Sequence, residues 1–95
     1  MKRKHFYVVT YDISDDKRRR KVVKLLEGIG IRMNFSVFEC ILTETQYRNM
    51  CNKLAKIIIK QDDWVNIYPL CTECYARITY IPDIKKKEPV KIAVI

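Results

Sequence analysis

The stretch His5-Phe6-Tyr7-Val8-Val9-Thr10-Tyr11-Asp12-Ile13-Ser14-Asp15-Asp16 decides the fold. Its first seven residues are aromatic or β-branched, the side chains that fit a pleated, packed surface, and they read as a strand. The strand runs straight into a helix start. Ser14 is placed to cap it, and Asp15 and Asp16 suit the positive end of the helix dipole. Val22, Leu25, Leu26 and Ile29 then recur at helical spacing, predicting a helix over 15–29 that Gly28 and Gly30 stop.

Working outward, residues 31–42 read as strand, either one long bent strand or two short ones joined by a tight turn near Asn34. Thr43-Glu44-Thr45-Gln46 is a capping box that opens a second helix. Its buried stripe is Tyr47, Met50, Cys51, Leu54, Ile57 and Ile58, with Arg48, Lys53, Lys56 and Lys60 turned to solvent. Residues 63–69 and 75–81 alternate and predict two further strands, and 90–95 predicts a last one. The order is that of an α+β sandwich with two helices on one face of a mostly antiparallel sheet, best matched by a ferredoxin-like βαββαβ arrangement. The whole chain is expected to be one domain, with a core over about 5–81.

The first strand is apolar on both faces: Phe6 and Val8 against Tyr7, Val9 and Tyr11. Residues 35–42 repeat the pattern, with Phe35, Val37 and Ile41 opposed to Phe38, Cys40 and Leu42. Two helices cover one face only, so a second copy of the chain is expected on the other, and pairing of strand 90–95 with the partner's sheet would relieve a hydrophobic edge.

Composition narrows the function. The chain has 95 residues, is 48% hydrophobic and carries a net charge of +8. No apolar run nears the roughly 20 residues that a bilayer requires, and the charged N-terminus is not followed by a signal-peptide core. A cytoplasmic protein that does not engage membrane is expected. Lys17, Arg18, Arg19, Arg20, Lys21 and Lys24 place six cations within eight residues. Such a cluster repels itself unless anions neutralise it, and a phosphate backbone is the natural counterpart.

Asp12 is the candidate for chemistry. It ends an apolar strand, a rigid mount, and immediately precedes a helix start. Alone it reads as a turn aspartate. Two copies meeting at a dimer axis would supply two carboxylates, sufficient to hold Mg²⁺, or Mn²⁺ in its place, together with water and phosphate oxygens. Arg19, Lys21 and Arg32 are candidates to grip phosphate, and Tyr11 and Phe38 can stack a base or serve as core. His5, the only histidine, is about 20 Å away at strand rise and is no general base for this site. Cys71-Thr72-Glu73-Cys74 has the spacing of half a zinc site, but Cys40 and Cys51 do not complete it. Plain turn cysteines are the leading reading, with zinc and redox roles behind.

The run Val8-Val9-Thr10-Tyr11-Asp12-Ile13-Ser14-Asp15-Asp16-Lys17-Arg18-Arg19-Arg20-Lys21-Val22 resembles the opening of the CRISPR-associated protein 2 family. Phe35-Ser36-Val37-Phe38-Glu39, following Arg32, and Val65-Asn66-Ile67-Tyr68-Pro69-Leu70-Cys71 are also similar to that family. The resemblance implies a ferredoxin-like homodimer with crossed terminal strands. It further implies a metal-dependent phosphodiesterase cleft in which Asp12 binds the ion and Tyr11, Arg19, Lys21, Arg32, Ser36 and Phe38 line the site, Lys21 standing where the family often has arginine. Arg18, Arg19, Arg20, Lys21, Lys24 and Arg32 are the expected nucleic-acid contacts. The implied role is a subunit of spacer acquisition that cleaves RNA or DNA and holds DNA with the CRISPR-associated integrase. The alternative is a non-catalytic DNA-binding scaffold bridging integrase dimers.

Overall fold

The computed structural model describes residues 3–83. Its elements run β1 (Lys4–Asp12), α1 (Asp16–Glu27), β2 (Gly30–Asn34), β3 (Val37–Thr43), α2 (Glu44–Ile57), β4 (Trp64–Leu70) and α3 (Thr72–Ala76). The four strands form one antiparallel sheet in the order β2-β3-β1-β4. That order, with a helical crossover after β1 and another after β3, is the ferredoxin-like arrangement expected from the sequence. Residues 31–42 resolve into two strands with the reversal at Phe35–Ser36.

The core follows from strand alternation. Tyr7, Val9 and Tyr11 of β1 and Phe38, Cys40 and Leu42 of β3 are buried against Val22 and Leu26 of α1 and Met50 and Leu54 of α2. Val65 and Ile67 of β4 add to this layer from the edge. Thr43 caps α2 through the reciprocal bonds foreseen, its hydroxyl accepting from Gln46 N at 3.1 Å while Gln46 Oε1 accepts from Thr43 N at 2.8 Å. Gly30 has a different task from stopping α1: a Cβ there would sit 2.6 Å from Cys40 Sγ and 2.7 Å from the Glu39 carbonyl oxygen, so β2 approaches β3 only because this residue has no side chain. Gly28 alone is the C-cap of α1.

Two expectations need correction. The alternating segment 75–81 is not a strand. Cys71 caps a short helix over Thr72–Ala76, and the chain beyond it has no ladder partner among the described residues. Its half-buried residues are Tyr75, Ile78 and Tyr80, spaced by three and then two, so the burial does not follow the alternation read from the sequence; an irregular segment resting on a surface shares apolar residues with a strand but not its period. Consequently the second face of the sheet is not left wholly to a partner. The Tyr75 ring stacks on Phe6 at 4.2 Å and 6°, and Tyr80 Oη donates to Glu39 Oε2 at 2.6 Å. The rest of that face stays open, with Trp64 47% and Tyr68 50% exposed. The expected strand 90–95 lies outside the described residues.

Candidate functional site

The site grows from the end of β1. Alternation puts Asp12 on the open face with Phe6, Val8 and Thr10, while Tyr11 points into the core beneath it. Asp12 pairs with Trp64 in the register of β1 with β4, and its side chain is exposed. A shallow depression here is lined by Tyr11, Asp12, Ile13, Arg19, Phe35, Ser36 and Trp64. Three segments far apart in sequence thus converge: the β1–α1 junction, the β2–β3 turn and the start of β4.

The β2–β3 turn is tied to the strand end by several bonds. Tyr11 Oη donates to the Phe35 carbonyl at 2.7 Å, and Arg32 Nη2 donates to the same oxygen at 2.9 Å. Tyr11 N donates to the Ser36 carbonyl at 3.3 Å, and Ser36 N donates to Asn34 Oδ1 at 3.2 Å. The Arg32 guanidinium also lies over the Phe38 ring, 5.9 Å from its centroid. Burial pushes the Tyr11 phenol above its ordinary range, against the pull of Arg32 and Arg19. Tyr11 is therefore a protonated donor that fixes the turn at neutral pH. Phe38 is fully buried in the core, so its part is to support Arg32 and Tyr11, not to meet a base.

The β1–α1 junction is held by a residue that local sequence patterns do not single out. Asp63, immediately before β4, buries its carboxylate completely. It accepts from Ser14 N at 3.1 Å and Ser14 Oγ at 3.4 Å, and from Ile59 N at 2.9 Å. Arg18 gives it a two-pronged bond, Nε at 2.8 Å and Nη2 at 3.2 Å. A buried carboxylate is tolerable only when so fully paired. The Arg18 guanidinium, first, and then the backbone donors outweigh desolvation and hold the Asp63 carboxyl well below the usual carboxylate range. Ser14 is thereby drawn to Asp63, and the helix cap passes to Asp15, whose carboxylate accepts from Arg18 N at 2.9 Å.

These contacts sort the expected cations. Arg18 is bound inward by Asp63. Arg19 lines the depression, with Nη1 donating to the Ile13 carbonyl at 2.8 Å and Nη2 pairing with Asp16. Arg20, Lys21 and Lys24 stand exposed along α1, and Arg32 is exposed at the sheet edge. Asp12, Tyr11, Arg19 and Ser36 come together as expected; Arg32 reaches the group through the Phe35 carbonyl. Trp64 and Asp63 are additions. Neither has a local signal, and only the pairing of β4 with β1 brings them to Asp12.

Asp12 has no ion-pair or hydrogen-bond partner for its carboxylate among the described residues. That chemistry fits a hard divalent cation, which takes one or two carboxylates and fills its other positions with water or phosphate oxygen. The described residues of one chain contain no cluster of three or more His, Cys, Asp or Glu able to enclose a metal ion. Among the residues that line the depression, Asp12 supplies the carboxylate, so one chain offers an open mount.

The family model described as CRISPR associated protein Cas2 matches residues 5–78. A relative from Chloroflexus aurantiacus, named CRISPR-associated endoribonuclease Cas2 1, is 47% identical over 79 residues, 82% of this chain and 85% of that protein. The crystal structure of Streptococcus pyogenes Cas2 superposes with a TM-score of 0.72 at 31% identity, covering 79% of this chain and 96% of that one. A chain from a partial Cas6-RT-Cas1–Cas2 complex superposes with a TM-score of 0.68 at 29% identity, covering 82% of this chain and 91% of that one.

Proposed function

Since this chain belongs to the CRISPR-associated Cas2 family, we propose that it is a CRISPR adaptation subunit whose homodimer is a Mg²⁺-dependent endonuclease. The observation that carries this reading is the exposed, unpartnered Asp12 carboxylate at the rigid end of the central strand, beside Arg19 and Ser36. The endoribonuclease names of similar proteins favour RNA as the substrate.

Two Asp12 carboxylates, one from each copy, would hold the ion; when bound, it would polarise a phosphodiester and make water a stronger nucleophile. The protein's own residues do the rest. Arg19 and Arg32 balance the charge of the phosphate, Ser36 offers a hydroxyl at the rim, and the Tyr11–Phe35–Arg32 bonds keep the turn in place. The open sheet face, with Trp64 exposed beside Asp12 and Tyr68 exposed farther along opposite Val8, supports a second copy as its occupant, because that copy brings the second carboxylate to the same cleft.

The test is cleavage of end-labelled RNA and DNA by wild type and Asp12→Asn, with Mg²⁺ and with EDTA. Cleavage that needs Mg²⁺ and falls at least ~100-fold in Asp12→Asn is the expected result, in line with loss of an essential group. Equal cleavage in every arm would mean a contaminant and would remove the assignment.

A second reading is a DNA-binding scaffold that bridges copies of the integrase without cleaving. The exposed cations Arg20, Lys21 and Lys24 and the likeness to a chain of a Cas1–Cas2 complex favour it. Replacing the three cations with alanine should then flatten the salt dependence of duplex binding by about 1 in slope for each phosphate no longer neutralised, with Asp12→Asn binding as wild type.

A further inference from the structure

At the far end of β1 from Asp12, Cys71 and Cys74 form a second chemically equipped spot that the nuclease reading does not use. Both are exposed free thiols. Cys71 closes β4 in extended conformation, and Cys74 follows three residues later inside the turn of α3. This geometry sets both side chains on one turn: Cys74 N donates to Cys71 Sγ at 3.2 Å. The remaining cysteines differ. Cys40 is buried between β2 and β1, where burial pushes its thiol up to about 12, and Cys51 faces Tyr47 on α2. No third metal-ligating side chain joins the Cys71–Cys74 pair among the described residues, which disfavours the zinc half-site.

We propose that Cys71 and Cys74 are a reversible dithiol–disulfide site that reacts with small-molecule disulfides such as oxidised glutathione. Disulfide geometry is demanding, and here the Cys71 sulfur already lies 3.2 Å from the backbone nitrogen of Cys74 within a single helical turn, so closure requires little backbone movement. The donated bonds from the Cys74 backbone and thiol favour the Cys71 thiolate, and the proximity of Cys71 raises the Cys74 thiol. Cys71 is thus the attacking sulfur and Cys74 the resolving one. The Cys71 thiolate, its proton released to solvent, attacks one sulfur of the small disulfide. A mixed disulfide forms and one thiolate leaves. The Cys74 sulfur, losing its proton, then attacks Cys71 Sγ, forming the internal bond and expelling the second thiolate. Two electrons pass from the protein thiols to the small disulfide, and the two protons end on the two released thiols. A dithiol reductant reverses the sequence.

The experiment equilibrates the full chain in graded mixtures of reduced and oxidised glutathione, quenches with acid, alkylates the remaining thiols and maps them by mass spectrometry. Expected is a peptide in which Cys71 and Cys74 lose both alkyl groups together and two hydrogens in all, while Cys51 remains free and Cys40 is alkylated only after denaturation. Cys74→Ser should accumulate glutathione on Cys71, and Cys71→Ser should acquire it on Cys74 at least about tenfold more slowly. Protection of Cys40 reports that each variant is folded. Three results would overturn the proposal: both thiols remaining free where a small dithiol in the same buffer is oxidised, glutathione accumulating on the wild type without closure, or equal rates in the two variants.

Discussion

The two ends of β1 are built by different means. At the Asp12 end, three distant segments are locked by directional polar bonds: Asp63 takes donors from Ser14, Arg18 and Ile59, and the Phe35 carbonyl takes two from Tyr11 and Arg32. At the Phe6 end, a five-residue helix rests on the sheet with the Tyr75 ring stacked on Phe6. Polar networks fix geometry to within a hydrogen bond, which a site for phosphate chemistry needs. A ring stack contributes adhesion and tolerates sliding. The exposed carboxylate thus sits where three segments are fixed relative to one another, whereas both thiols sit on one short segment and need only each other.

If the polar end is the rigid one, Asp63→Ala should do the most damage. It strands the Ser14 and Ile59 amides and the Arg18 guanidinium, so Tm should fall by about 10 °C or more. Thermal melts of the purified variant check this, and a loss of only a degree or two would mean that the network does not organise this end. A pH series adds a second check. The Asp63 carboxyl is held below its ordinary value of 3.8 in the folded protein, so the unfolded chain takes up its proton first as pH falls. The stability it contributes is complete above that value and is lost progressively as pH drops through and below it. Wild type should therefore exceed Asp63→Asn by a constant margin at pH 5–8 and converge with it as pH falls below about 4. A margin that grew on acidification would contradict the sign.

At the other end the effects should be smaller. Phe6→Leu keeps an apolar side chain but removes the stack on Tyr75, for an expected loss of about 1 kcal/mol in urea unfolding. Amides of Thr72–Ala76 should then exchange with solvent earlier than those of β1, while exchange at Ile13–Asp15 stays unchanged. Smallest is Tyr80→Phe, which deletes the bond to Glu39 on a partly wet surface and should cost no more than about 1 kcal/mol by the same measurement.

The fold was legible where periodicity and capping agree. Strand β1, the stripes of α1 and α2, and the capping box at Thr43 are local patterns, and they imply the sheet order once the crossovers are counted. The segment 75–81 misled because its apolar residues serve a short helix and an irregular path resting on the sheet, where alternation in sequence carries no alternation in burial. Of the candidate site, Asp12, Tyr11 and Arg19 were visible in the residues themselves and Ser36 through the resemblance, and the four converge. Asp63 was not visible, because its importance arises from a partner 45 positions away. An Asp-Asp pair before a strand has no local mark that separates a loop residue from a buried clamp. Arg18 was grouped with its solvated neighbours for the same reason: in a run of five cations, only the fold decides which one turns inward.

Where a divalent cation settles on the protein is the decisive question. Mn²⁺ broadens amide resonances close to its site, so a titration of isotope-labelled protein at low stoichiometry locates that site without relying on activity. An ion held by Asp12 should give broadening centred on Tyr11–Ile13, with Phe35 and Ser36 next, and the broadening should vanish in Asp12→Asn. Broadening centred on Cys71–Cys74 or on the acidic residues of α1, or a pattern unchanged by Asp12→Asn, would contradict a metal site at the end of β1.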